Sequence, residues 1–166
     1  YGAELVGPGE VRCTGAGRIH VGEFAGTRRD SDESDAASDR AERVAAAFRE
    51  AGLDCTADPA MPRRRWEKLA VNAGINAVTA LARVPNGALA DGPGRAVAHR
   101  AARETARVAR AEGVDLAEGA AVDAVDTVVA ETAANRSSML VDVLGGGRTE
   151  VDAINGAVVG RGADRG

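Results

Sequence analysis

The chain has 166 residues, a net charge of −4 and two cysteines. That length holds one domain, or one domain with part of another. The mild acidity, without a basic stripe, argues against nucleic acid as a partner, and no apolar run reaches the ~20 residues that a membrane-crossing helix needs.

Hydrophobic residues make up 45% of the chain and aromatic residues 2%, so the core must come from Ala, Val and Leu, which favours close-packed helices. Cys13 and Cys55 show no metal spacing and read as free thiols in a reducing compartment. With no signal peptide, the expected location is the cytoplasm. The chain starts on Tyr1 rather than Met, inside what reads as a strand or loop, as a piece from the middle of a longer protein would. His20 and His99 are isolated and read as structural or surface residues, and no metal site is expected.

Residues 1–24 are rich in Gly and β-formers. The alternation in Val11–Thr14 and Arg18–Gly22, with Gly15, Ala16 and Gly17 between, predicts a β-hairpin with a three-residue turn. GPG and GAG read as turn glycines, because neither opens a helix after a strand. Residues 25–39 are polar and acidic and read as a solvated loop. Ser38 or Asp39 then caps a helix running to about Ala51, ended by Gly52. A short strand follows over Leu53–Ala57, closed by Asp58-Pro59. The sequence to this point reads as the end of an α/β domain.

The most informative stretch is Trp66–Gly87. It holds Lys68, the chain's one lysine among 21 basic residues, and three of its five asparagines, Asn72, Asn76 and Asn86. Lys68, Asn72 and Asn76 are spaced i, i+4, i+8, which on a helix is a stripe along one face. Such a stripe is commonly a solvated surface. Here the small or apolar flanks Ala70, Val71, Ala73 and Gly74 argue for burial, and buried amides need partners. Arginine cannot readily lose its proton, whereas a lysine in an apolar pocket can titrate. The retained lysine therefore points to a transferable proton. Pro85-Asn86-Gly87 ends the helix. Arg63, Arg64 and Arg65 form a solvated start.

Asp91–Gly94 is a break. A helix is expected over Arg95–Glu112, with Val97, Ala101, Thr105, Val108 and Ala109 as its apolar stripe. Another runs from Glu118 or Gly119 to about Leu144, burying Val122, Val125, Val128, Val129 and Ala133. After Gly145–Gly147 the pattern gives a short helix start near Asp152 and then a glycine-rich polar tail without a closing helix.

Taken together, KLxxNxxIN and PNG at 68–87, NRSSML at 135–140 and TEVDAING at 149–156 resemble the ketopantoate reductase (2-dehydropantoate 2-reductase) family. The resemblance covers most of 61–160. It implies a mainly α fold: a helical C-terminal domain like that of 6-phosphogluconate dehydrogenase over 61–166, with 1–60 the last, incomplete part of an NADP-binding Rossmann domain. It implies NADPH-dependent reduction of ketopantoate to pantoate, on the way to pantothenate and coenzyme A. The lysine matching Lys68 is then the proton donor. Asn72, Asn76, Asn86, Asn135 and Ser138 match substrate-binding positions, and Glu150 and Ala3 match positions beside the cofactor. A keto acid is the implied partner, and a homodimer a possible state. The GxGxxG turn that holds the cofactor's pyrophosphate is absent, as is the family's last helix, so the chain reads as a fragment not expected to turn over by itself. Two other readings stand beside this one: a reductase of the same architecture acting on another 2-keto acid, and an inactive helical interaction module.

Overall fold

The computed structural model describes residues 2–15, 17–23 and 31–165. The chain divides into two compact units, Tyr1–Pro62 and Arg63–Gly166. In the first, β1 (Gly2–Gly7) and β2 (Glu10–Gly15) form an antiparallel hairpin, with Ala3 opposite Cys13 and Leu5 opposite Val11. The turn is Pro8-Gly9, where Gly9 has φ +75°, a conformation that L side chains resist.

This corrects the expected hairpin. Val11–Thr14 does form a strand, but it pairs backwards, across the tight turn that Pro8-Gly9 allows. Its expected partner instead forms β3 (Ile19–Val21), which pairs in parallel with β4 (Cys55–Ala57), Ile19 opposite Cys55 and Val21 opposite Ala57. Parallel strands need a long crossover, and α1 (Ser31–Glu50) provides it. That helix begins seven residues before Ser38, inside the segment expected to be loop. The expected loop's other part, 25–30, lies outside the described residues. Gly52, at φ +80°, ends α1 as expected. Arg49 in its last turn donates to the Cys55 carbonyl at 3.1 Å.

The second unit is helical. α2 (Met61–Ala82) is followed by a 3₁₀ turn (Asn86–Leu89), α3 (Gly92–Ala111), α4 (Glu118–Glu131), α5 (Ser138–Leu144), a π-helical turn (Asp152–Gly156) and α6 (Ala157–Ala163). α2 serves two cores. Ala70 and Ile75 pack with Leu89, with Ala98, Ala102, Ala106 and Ala109 of α3, and with Ala121, Val125 and Val129 of α4. Ala73 and Ala80 pack with Met139 and Ile154. Alanine at the α2–α3 seam lets the helices approach closely. A Cβ on Gly74 would stand 2.9 Å from the Ala98 carbonyl oxygen.

That approach shifts the buried face of α3 from the expected one, of which Thr105 and Ala109 are buried and Val97 is not. The buried residues are Ala98, Ala102, Thr105, Ala106 and Ala109, while Val97 is 55% exposed. The alanine row wins because valines there would hold the helices apart.

The single helix expected to Leu144 is two. Between α4 and α5 the carbonyls of Ala133 and Asn135 accept the amides of Gly87 and Asn86, each at 2.9 Å, which ties this non-helical stretch to the turn that follows α2. The tail is helical too: α6 holds despite Gly160 and Gly162. Arg161 anchors it, bonding Glu112 through Nη1 at 2.8 and 3.0 Å and lying 5.8 Å from the centroid of a Trp66 ring. Among the described residues no helix is long and apolar enough to cross a membrane, and none of their His, Cys, Asp and Glu side chains group to hold a metal.

Candidate active site

α2 carries Lys68, Asn72 and Asn76 at successive turns, as the i, i+4, i+8 spacing requires. Their burial deepens along the helix. Lys68 is exposed, Asn72 is half-buried and Asn76 is buried. Lys68 has no hydrogen-bond or ion-pair partner among the described residues. The burial expected of this stripe therefore does not extend to Lys68. Lys68 stands less than two turns from the α2 start, and Ile75, two turns further along the same face, packs in the first core. Glu150 is itself exposed, and only its backbone is engaged, its carbonyl accepting from the Ile154 amide at 2.9 Å.

Asn86 is buried and already committed. Its Nδ2 donates to Thr132 Oγ1 at 2.9 Å, and its backbone amide donates to Asn135. Its Oδ1 is buried without a partner. Asn135 and Ser138 are exposed. The 3₁₀ turn thus brings Asn86 beside the backbone of Asn135, and Ser138 follows three residues on, as the first residue of α5. Ala3 is exposed in β1 of the first unit.

The adjacent Ser137 does structural work that the sequence does not reveal. Its Oγ accepts the Leu140 amide at 3.1 Å, capping α5, and lies 2.7 Å from Thr79 Oγ1. Thr79 in turn donates to the Ile75 carbonyl at 2.8 Å. The consistent direction is Leu140 N–H to Ser137, Ser137 O–H to Thr79, and Thr79 O–H into the α2 backbone. This chain bolts α5 to the helix that bears Lys68. Asn155 was also unsingled by sequence: Nδ2 donates to the Ala73 carbonyl of α2 at 3.1 Å, across 82 residues.

Comparison with known proteins bears on this arrangement directly. Residues 60–166 match the family described as "Ketopantoate reductase PanE/ApbA C terminal". The chain belongs to the ketopantoate reductase family. A 2-dehydropantoate 2-reductase of Halobacterium salinarum is 46% identical over 99% of this chain and 51% of its own length. A crystal structure of a PanE/ApbA family ketopantoate reductase from Ralstonia eutropha superposes with a TM-score of 0.80 at 30% identity, over 98% of this chain and 50% of that one. A dimeric ketopantoate reductase from Staphylococcus aureus gives a TM-score of 0.65 at 26% identity, over 74% and 43%. The chain spans about half the length of the curated relatives it matches. The mainly helical fold expected for this ketopantoate reductase family chain is therefore found, with a small β/α unit before it.

Proposed function

We propose that the intact protein reduces 2-dehydropantoate to pantoate with NADPH, as a soluble cytoplasmic enzyme of pantothenate and coenzyme A biosynthesis. In this reading 1–60 ends the cofactor domain and 61–166 is the substrate domain. The observation that carries it is the α2 row of one ammonium and two carboxamides, in a chain whose family match covers that row.

Among the described residues no glycine-rich turn joins a strand directly to a helix. The cofactor's phosphates find no cradle in them, and the reasoning below concerns only the oxygen side of the reaction. Reduction of a ketone leaves negative charge on its oxygen, which needs a proton and donors as the charge develops. The Lys68 ammonium can supply both. Asn72 and Asn76 donate and accept without adding charge, which suits a substrate bearing a hydroxyl and a carboxylate. Asn86 is assigned to the lining of the substrate pocket, while Asn135 and Ser138, both exposed, are assigned to the carboxylate. Glu150 and Ala3 are assigned to the cofactor side. The dimeric relative supports a homodimer as the working state.

Turnover of the purified intact protein should be followed with 2-dehydropantoate and with several other 2-keto acids, each with NADPH and NADH. The reading expects 2-dehydropantoate with NADPH to give the highest kcat/KM. A higher value with another keto acid would replace the substrate, and no turnover of any would remove the enzyme reading.

A further inference from the structure

We propose that Asn155 is a positioning residue, clipping the turn that follows Glu150 onto the α2 row of Lys68, Asn72 and Asn76. The inference deepens the reductase reading and rests on it for the effect on turnover. Ala73, whose carbonyl accepts from Asn155 Nδ2 at 3.1 Å, lies between Asn72 and Asn76. A carbonyl oxygen has two lone pairs, so this one can take the side-chain donor as well as its own helix's amide. Asn155 Oδ1 is buried with no partner, so its desolvation is not offset by a hydrogen bond. Turning the amide over would set oxygen against oxygen at Ala73, so the carbonyl fixes which end faces α2.

The backbone is unusual at the same place. Asp152–Gly156 is a π-helical turn. In an α-helix neighbouring residues point about 100° apart. The wider π turn narrows that angle. Here Ile154 is buried in the core with Ala73, Ala80 and Met139, while its neighbour Asn155 also reaches α2. A π-helical turn and an unmet acceptor both stand at one hydrogen bond, and the residue one turn ahead is Glu150, whose carbonyl accepts from Ile154. On the other side Gly74 lies hard against Ala98, so α2 is backed by α3. The clip therefore sets Glu150 relative to a row that cannot yield.

The test uses the intact protein with Asn155→Ala and the near-isosteric Asn155→Asp, whose carboxylate would face the Ala73 oxygen. Each should lower kcat by on the order of tenfold or more, the scale on which misalignment acts, with KM within about threefold of the parent. If Asn155→Ala fails to fold, Asn155→Asp carries the same comparison. Amide exchange over 150–157 should quicken in both variants and needs no turnover to be read. Parental kcat, a loss confined to KM, or unchanged exchange would overturn the proposal. A parent protein inert on every keto acid, with exchange still quickened by the variants, would instead overturn the reductase reading and leave Asn155 a structural clip.

Discussion

At the scale of single residues, the hydroxyl chain through Ser137 and Thr79 should matter to stability. Ser137→Ala removes the cap of α5 and one partner of a buried hydroxyl. It should destabilise the protein by about 1–2 kcal/mol, measured by urea unfolding, while Ser138→Ala, on an exposed neighbour, should leave stability unchanged. Equal losses would contradict the assignment. The two serines show where sequence reading stops. Either can begin a helix, and the cap is chosen by Thr79, 58 residues away. The lysine and asparagine spacing was legible because it depends on one helix's period. The exposure of Lys68 was not, because it depends on what covers that face. Asn155 was hidden because Asn-Gly reads as a turn signal, whereas here it lies in a helical turn.

At the scale of elements, α2 and α3 are held by alanines and one glycine. Gly74→Ala would force its Cβ against the Ala98 carbonyl, and overpacking of this kind costs about 1–3 kcal/mol. Thermal unfolding should show it, and an unchanged Tm would mean the seam is looser than described. α3 and α4 are also joined by charge. Arg95 Nη2 approaches Asp126 Oδ2 at 2.7 Å, and His99 Nε2 lies 2.7 Å from Asp126 Oδ1. The Arg95 hydrogen bond, aided by that of His99 and by both positive charges, holds the Asp126 carboxyl below its usual 3.8, against a smaller opposing pull from partial burial. A depressed folded-state value means stability that is present above the unfolded value and lost as pH falls through the folded one. The acid limb of the stability curve should therefore flatten in Asp126→Asn, and an unchanged acid limb would rule this ion cluster out as a contributor. The helices themselves were mostly legible from period and punctuation. The α4–α5 break was not, since the stretch between them bonds to Asn86 and Gly87, distant in the sequence. Nor was the hairpin, where two glycine turns competed and the shorter one won.

At the scale of the whole molecule, a row of one lysine and two asparagines gains chemical meaning only with a hydride donor and a substrate between them. The family match and the helical unit support that reading, and the central claim is that Lys68 delivers the proton. Its most direct test is the kcat of the intact protein on 2-dehydropantoate beside Lys68→Ala and Lys68→Arg. The account predicts that both variants fall by on the order of 100-fold or more, because arginine keeps the charge without a readily released proton. Near-parental turnover in Lys68→Ala would contradict it.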